Sequence, residues 1–264
     1  MRNAPVPSRS LLFLLVALTA LGEVSTQLII PGLGAIEQAL AAPAGSALMA
    51  LSAFVAAFGL GQLLFGPLSD RIGRRPVLIG GLVLYVLATL SMLLVHDIHQ
   101  FIAARVLQGL GACAALVLAR TVVRDVWKAE AGPALALTMI GLLYAIVVAP
   151  MVGGLLTKLF GWPAPIVLAL VIGSVVLLLA LLFFRESNHC LDPKAGHWRT
   201  LGGQYLDLLK GRQYRAFAVA LACTYGAMFA VIAGSSAVFI NLLGFSTLEY
   251  GINFGLIVSM LIVG

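Results

Sequence analysis

Charged side chains are scarce in this sequence. Asp, Glu, Lys and Arg make up only 10% of its 264 residues, whereas 61% are hydrophobic. An ordinary soluble domain carries about 25% charged residues, and a chain of this length has too little interior to bury so much apolar surface. The scarcity of charge therefore excludes a water-soluble fold and predicts an all-α polytopic membrane protein.

Sequence patterns typical of several other protein classes are absent. No G-x-x-x-x-G-K-[ST] segment is present, so the sequence offers no P-loop for ATP-driven work. The cysteines, Cys113, Cys190 and Cys223, show no metal-ligand or redox spacing. Basic residues are scattered between apolar segments rather than gathered on one face, which argues against a nucleic-acid partner. We expect no cofactor and no metal.

Eight apolar segments are long enough to cross a bilayer, because about 20 helical residues span a roughly 30 Å hydrocarbon core. They are residues 11–31, 47–66, 76–95, 101–121, 134–157, 164–184, 216–240 and 248–264. The longest polar stretch, Arg185–Arg215, separates six segments from two. We predict a six-span bundle over 1–186, a cytoplasmic linker over 187–215 with a short surface helix at Tyr205–Leu209, and a partial second bundle over 216–264.

The distribution of basic residues predicts the orientation. With a cytoplasmic N-terminus, every Lys and Arg in a loop lies inside except Lys158, and Arg105 lies within a span. This asymmetry satisfies the positive-inside rule and supports the number of spans. The first segment has a basic start like that of a signal peptide, but its apolar run continues past Glu23 to Pro31. That length favours an uncleaved first span.

The segment between the second and third spans concentrates charge in a predicted turn, GPLSDRIGRRP. Its glycines are expected to permit tight turning and close backbone approach, and its last proline suits the first turn of the next helix. The aspartate either accepts hydrogen bonds from helix-end N–H groups or pairs with a neighbouring arginine. The arginines either fix topology alone or belong to a charge latch. The glycines and charged residues are Gly66, Asp70, Arg71, Gly73, Arg74 and Arg75.

This segment resembles the signature loop, G-x-x-x-D-R-x-G-R-R, of the major facilitator superfamily. Arg105–Gly109 is similar to the span-four motif R-x-x-Q-G, and Ala149–Gly154 is similar to the span-five motif of antiporters. With Arg120–Asp125, these segments resemble the drug:H+ antiporter branch of the bicyclomycin-resistance type. Members have twelve spans in two six-span halves, so the resemblance implies that about four spans are missing here.

The resemblance implies a secondary transporter rather than an enzyme. Its members export drug-like or amphipathic small molecules by alternating access, with the proton gradient as energy source. The implied setting is the bacterial inner membrane, and the implied partners are the lipid bilayer, protons and a small-molecule substrate, with a monomer when full-length. The resemblance also favours the latch, a charge contact made in one conformation and broken in another, with Asp125 as a candidate partner of Arg74.

Two ionisable residues lie deep within spans. Glu23 is about 12 residues, or roughly 18 Å, from the cytoplasmic side, and Arg105 lies at a similar depth, about 20 Å. Because such groups are costly in lipid, they are functional candidates, and we predict that they couple transport to protons. The alternatives are a static structural pair or a Glu23 that reaches a wet cavity. In the branch resembled, the acid usually occupies the position of Gln27, one helical turn later.

Pro150, Gly153 and Gly154 fall in the middle of the fifth apolar segment. Proline bends a helix and glycine permits close packing. This pattern indicates either ordinary packing or a bend that keeps one side of a central cavity closed. Isolated polar residues on other spans predict the lining of a mostly apolar cavity suited to lipophilic solutes. These predicted cavity residues are Gln27, Gln108, Tyr144, Tyr225 and Asn241.

Three alternative functions stay open on the sequence. The same fold would also serve the uptake or exchange of a small polar metabolite. The chain would otherwise be an inactive truncated product. A membrane-embedded enzyme would need a catalytic cluster, and the nearest grouping is His96, Asp97 and His99 in a loop too short to enclose a metal.

Overall fold

The chain forms a helical bundle in the computed structural model, which describes residues 8–188, 191 and 198–263. Within those ranges the regular structure is helical throughout and contains no strand. A short 3-10 turn, Ile30–Gly32, joins α1 to α2. A π-helical segment, Ala237–Leu242, follows α9. The α-helices are α1 (Arg9–Gln27), α2 (Leu33–Ala39), α3 (Ser46–Ile72), α4 (Arg74–Ser91), α5 (Ile98–Trp127), α6 (Ala131–Phe160), α7 (Pro163–Phe183), α8 (Trp198–Lys210), α9 (Arg212–Ser236) and α10 (Thr247–Val263).

Each predicted span contains a helix. The stretch from α1 to α2, together with α3, α4, α7 and the first part of α9, is long and apolar enough to cross a membrane. The continuous stretch Ile98–Phe160 also qualifies, and it holds both α5 and α6. The 17 residues of α10 give it a length of about 26 Å, slightly less than the roughly 30 Å hydrocarbon core. The predicted class, an all-helical membrane protein, is confirmed.

The predicted linker contains a longer helix than expected. The surface helix predicted at Tyr205–Leu209 is part of α8, and α9 begins at Arg212 rather than at 216. Cys190, which was named from the sequence, lies outside the described residues.

The structure of the charged segment between α3 and α4 differs from the sequence prediction. A turn was expected from Gly66 onward, but α3 continues as helix to Ile72 and Gly73 alone is non-helical. Gly73 has φ +105°, a conformation that glycine adopts without strain. The close approach predicted at Gly66 is wrong, because a Cβ placed there would meet nothing within 4 Å. Pro76 does lie in the first turn of α4, as predicted.

The core of the bundle is organised around α5, which packs against α1, α3 and α4. Close approach of the helices depends on small residues. A Cβ on Gly109 would lie 2.6 Å from the Phe54 carbonyl oxygen of α3, and one on Gly111 would lie 2.5 Å from the Tyr85 nitrogen of α4. Within lipid such contacts drive helix association, since the surrounding acyl chains are as apolar as the side chains.

The helices of the predicted second bundle, α9 and α10, reach the predicted first bundle, α1 to α7, mainly through α10. A Cβ on Gly251 of α10 would lie 2.5 Å from the Pro150 carbonyl oxygen of α6. By contrast, α9 is exposed along most of its length. Its inner end contributes Ile232 to an apolar cluster that also contains Ile30 and Leu51 of the first bundle.

We predict that Gly81→Leu destabilises the protein while Gly80→Leu does not. A Cβ on Gly81 would overlap the Ala114 Cβ of α5, whereas one on Gly80 would meet nothing within 4 Å. Overpacking costs about 1–3 kcal/mol. Thermal unfolding of both variants in detergent measures the difference. Equal transition temperatures would show that the α4–α5 contact does not limit stability.

Candidate functional site

Arg74 is the centre of an ionic cluster at the end of α3, α4 and α5. Its Nη1 lies 2.6 Å from Asp70 Oδ1 and its Nε lies 3.2 Å from Asp125 Oδ2. Nη1 also donates to Ser69 Oγ at 2.6 Å. The contact expected between Arg74 and Asp125 is therefore present, and Asp70 pairs with Arg74 rather than with Arg71. We call Asp70, Arg74 and Asp125 the charge cluster.

The charge cluster is only partly shielded from solvent. The Arg74 side chain is 9% exposed, but those of Asp70 and Asp125 are 48% and 27% exposed. Ion pairs that remain in contact with water contribute about 0–1 kcal/mol each. A cluster of this kind holds the helix ends in one arrangement, but its ion pairs can separate at low cost in free energy. Arg75 points away from it and donates to the Leu181 carbonyl oxygen at 3.1 Å.

Glu186, immediately after α7, also contacts this region, although the sequence analysis did not select it. Its Oε1 and Oε2 accept hydrogen bonds from the backbone N–H groups of Arg74 and Arg75, each at 2.9 Å. The sequence signal was weak. A lone glutamate at the start of a polar stretch is typical of any loop, and its partners lie 112 and 111 residues earlier.

A second polar network surrounds Arg105, which is fully buried. One guanidinium nitrogen, Nη1, donates to Gln108 Oε1 and to the Ser25 carbonyl oxygen. The guanidinium carbon lies 4.2 Å from the centre of the Phe54 ring, a cation–π contact. Its Nε and Nη2 are buried and have no hydrogen-bond partner. Arg105 therefore has donors free for an acceptor that enters the bundle.

The network extends from Arg105 across three helices. Gln108 Nε2 donates to Thr89 Oγ1 at 2.8 Å, and Thr89 donates to the Tyr85 carbonyl oxygen at 2.6 Å. The Tyr85 hydroxyl and Ser25 Oγ are 2.6 Å apart. These contacts fix the position of the guanidinium from α1, α4 and α5. Ser25, Tyr85 and Thr89 were missed because a hydroxyl on an apolar helix usually bonds its own backbone.

The predicted partnership of Glu23 with Arg105 is not observed. The two side chains share a depth but form no ion pair within 4.0 Å. Arg105 lies against the face of α1 that carries Ser25. Glu23 and Ser25 are two positions apart, which corresponds to about 200° around a helix with 3.6 residues per turn. Position along each helix predicted a similar depth for the two residues, but it carried no information about the angle around the helix axis.

Gln27 follows Glu23 on α1 by one helical turn. Gln27 is 2% exposed, and its Oε1 has no partner. Glu23 and Gln27, the position where the resembled branch usually has its acid, therefore face the same side of α1. An amide and a carboxylate on one side of a helix offer both hydrogen-bond donors and acceptors to a bound proton or solute.

The other predicted cavity residues do not act alike. Gln108 has both ends of its amide engaged in hydrogen bonds inside the bundle. Tyr144 on α6 and Tyr225 on α9 are 69% and 66% exposed. The side chain of Asn241 lies outside the described residues.

The span-five motif is a packing surface on both sides. Pro150 lies within α6 without ending it. A Cβ on Gly153 would overlap the Leu28 carbonyl oxygen, and one on Gly154 would overlap the Thr247 carbonyl oxygen of α10. The Thr247 hydroxyl donates to the Gly154 carbonyl oxygen at 3.2 Å. Gly154 therefore brings the first bundle against α10, whereas Gly153 packs against the end of α1 within the first bundle.

The grouping weighed for an enzyme has a structural explanation. Asp97 caps the N-terminus of α5, where its Oδ1 accepts a hydrogen bond from the Gln100 N–H at 2.9 Å. In the described part of the chain no three His, Cys, Asp or Glu residues are grouped as metal ligands.

Comparison with known proteins identifies the family. The model of the Major Facilitator Superfamily matches residues 12–264. The chain belongs to the Major Facilitator Superfamily. The human organic anion transporter MFSD10 has a similar fold, with a TM-score of 0.72 and 19% identity over 96% of this chain and 70% of that one.

Two relatives of this superfamily member are named for multidrug resistance or transport. The multidrug resistance protein D of Escherichia coli is 35% identical over 59% of this chain and 40% of its own length. The multidrug transporter MdfA of Yersinia pestis is 30% identical over 97% of this chain and 63% of its own length. The chain thus spans about two-fifths to three-fifths of these relatives.

We predict that Gln108→Leu destabilises the protein, because it removes the side-chain acceptor for Arg105 and the partner of Thr89. A buried polar group left without a partner costs about 1–3 kcal/mol, and a charged one costs more. Gln62→Leu on the exposed face of α3 is the matched control. Thermal unfolding in detergent measures both. A Gln108 variant as stable as the control would contradict the role given to the network.

Proposed function

We propose that this member of the superfamily is a proton-coupled exporter of drug-like or amphipathic small molecules that works by alternating access. The names of the relatives from Escherichia coli and Yersinia pestis support the substrate class. The largely apolar helices, with few polar side chains, suit lipophilic solutes. We propose the bacterial inner membrane as its location, a cytoplasmic N-terminus from the placement of its basic residues, and a monomeric state.

The observation that carries the mechanism is the charge cluster. Arg74 bridges Asp70 of α3 and Asp125 of α5, so three helices are held at one end by one guanidinium. The tight contact of α6 with α10 at Gly154 and Gly251 lies towards the other end of α6. In our proposal the α6–α10 contact and the packing of the two bundles at the charge-cluster end form and separate in turn, so the cavity opens to one side of the membrane at a time. The charge cluster lies within the first bundle and sets the geometry of that end.

Proton coupling is assigned to Glu23. It is the single carboxylate deep in a described span of the first bundle, and Gln27 lies one helical turn further along α1. Arg105 supplies unpartnered N–H groups in the same bundle. Because burial of a charged carboxylate in lipid is costly, uptake of a proton by Glu23 lowers the cost of one conformation relative to the other. In this scheme the protein binds the proton and the solute in turn during the transport cycle.

The overall proposal is tested by dye export. Cells that express the protein are loaded with a lipophilic fluorescent dye, and efflux is followed with and without a protonophore. We expect efflux that stops when the proton gradient collapses. Efflux that is insensitive to the protonophore would contradict proton coupling, and accumulation of dye would contradict export.

We predict that Asp70→Asn slows transport roughly tenfold, equivalent to about 1.4 kcal/mol, while solute affinity changes little. The substitution weakens one side of the Arg74 bridge but does not touch the bound solute. Asp207→Asn, which breaks an exposed pair with Lys210 in α8, is the control and should be near wild type. Transport rate and equilibrium binding are measured in proteoliposomes. Equal losses of rate and affinity would count against the latch.

We predict that Glu23→Gln abolishes proton-driven export while solute binding survives. Glutamine preserves the shape and hydrogen bonding of the site but cannot exchange a proton. Export is measured over a series of external pH values, with the exposed Glu130→Gln variant as control. A pH dependence that is unchanged in Glu23→Gln would remove this residue from the mechanism.

A further inference from the structure

The N-terminus of α4 has no cap of its own. The first N–H groups of a helix lack intrahelical acceptors and usually bond a side chain at the preceding residue. Here that residue is Gly73, which has no side chain, and it serves also as the C-terminal residue of the α3 turn. Arg74 and Arg75 therefore present two unsatisfied N–H groups beside the charge cluster.

Glu186 supplies the missing cap from a distant part of the chain. Each carboxylate oxygen accepts one of these N–H groups at 2.9 Å. A negative charge at this end of a helix is also favoured by the helix dipole. A Cβ on Gly73 would lie 2.7 Å from Glu186 Oε2, so a residue without a side chain is needed for the carboxylate to approach.

The two residues that follow Glu186 reach the charge cluster itself. Ser187 Oγ donates to Asp125 Oδ2 at 3.2 Å, which is the oxygen that also accepts from Arg74. Asn188 Nδ2 donates to the Asp70 carbonyl oxygen at 3.4 Å. We call Glu186–Asn188 the strap. It follows α7 directly and leads into the segment that connects the two bundles.

The same connecting segment touches α3 at a second point. Pro67 has no N–H, so the Leu63 carbonyl oxygen, four residues earlier, has no helical partner. The hydroxyl of Tyr205 on α8 donates to that oxygen at 2.7 Å. The polar segment between α7 and α9 therefore satisfies backbone groups on both sides of the α3–α4 turn, which neither helix satisfies internally.

We infer that Glu186 is a positioning residue for the charge cluster, and that the connecting segment stabilises or releases the cluster through the strap. By fixing the first turn of α4, Glu186 sets the point from which Arg74 reaches Asp70 and Asp125. Movement of the second bundle pulls on the strap and weakens the cap. The effect on transport rests on the proposed function, whereas the cap itself is testable without any transport.

The cap is tested by amide hydrogen exchange on the full chain in detergent. A glutamine at position 186 has one acceptor oxygen instead of two and carries no charge. We expect Glu186→Gln to accelerate exchange in the peptide covering 73–77 by about tenfold, with no change in a peptide from α5. Glu130→Gln, another carboxylate outside the spans, should leave both peptides unchanged. Unchanged exchange at 73–77 in Glu186→Gln would overturn the inference.

Coupling to the cluster is tested by a double-mutant cycle in proteoliposomes. We expect Glu186→Gln to lower the transport rate about tenfold, and to lower it less than twofold when Asp125→Asn is already present. Multiplicative losses would show that the two residues act independently and would overturn the positioning role.

Two further variants, Ser187→Ala and Tyr205→Phe, leave the cap intact. They test the role of the connecting segment even if Glu186→Gln does not fold. Each should slow transport by a few-fold. Wild-type rates in both of these variants would overturn the part assigned to the connecting segment. A wild-type protein that does not transport would refute the proposed function and leave the exchange result standing.

Discussion

Close approach of helices in an apolar medium is the constraint on which this structure depends. Acyl chains offer no hydrophobic force to join two helices, so contact has to be dense. Gly109 and Gly111 let α5 lie against the backbones of α3 and α4, and Gly153 and Gly154 do the same for α6. Because α5 is held this tightly, Arg105 is carried to the centre of the bundle, where side chains of α1 and α4 surround it.

The two arginine sites show how burial divides their roles. Arg105 is fully buried and is held by an amide, a carbonyl oxygen and an aromatic ring rather than by a carboxylate. Arg74 lies at the end of the bundle between two carboxylates that water still reaches. Separating the contacts of Arg74 costs little free energy because water replaces them, whereas water cannot replace the contacts of the buried Arg105. We infer that the outer cluster responds to movement and that the inner network keeps its shape.

The sequence predicted those features that depend on composition and on short motifs. Hydropathy located the helices because lipid requires long apolar stretches, and the signature loop indicated the family that the comparison then established. The contact between Arg74 and Asp125 followed from that resemblance. The extent of the α3–α4 turn was overestimated, because Gly66, Pro67 and the charges that follow are typical of loops yet lie in a helix.

Contacts between distant segments were harder to predict. Position along a helix predicts depth in the bilayer, and on that basis alone Glu23 was paired with Arg105. Rotation about the helix axis decides contact, and it depends on packing that a single sequence does not reveal. Glu186 was overlooked for a related reason, since its partners are backbone N–H groups and leave no mark on residue identity. The roles proposed for the cavity residues stay predictions.

The connection between α3 and α4 consists of Gly73 alone. Most surface connections accept insertions, because extra residues loop outward into solvent. Here one added residue, if taken up by the helix, would rotate everything after it by about 100°. Arg74 and Arg75 would then face the wrong neighbours, although every apolar stretch would still be long enough to cross the bilayer. The one-residue connection at Gly73 therefore tolerates an inserted residue as poorly as the interior of a helix does. Insertions and deletions in the chain have to be accommodated in other connections.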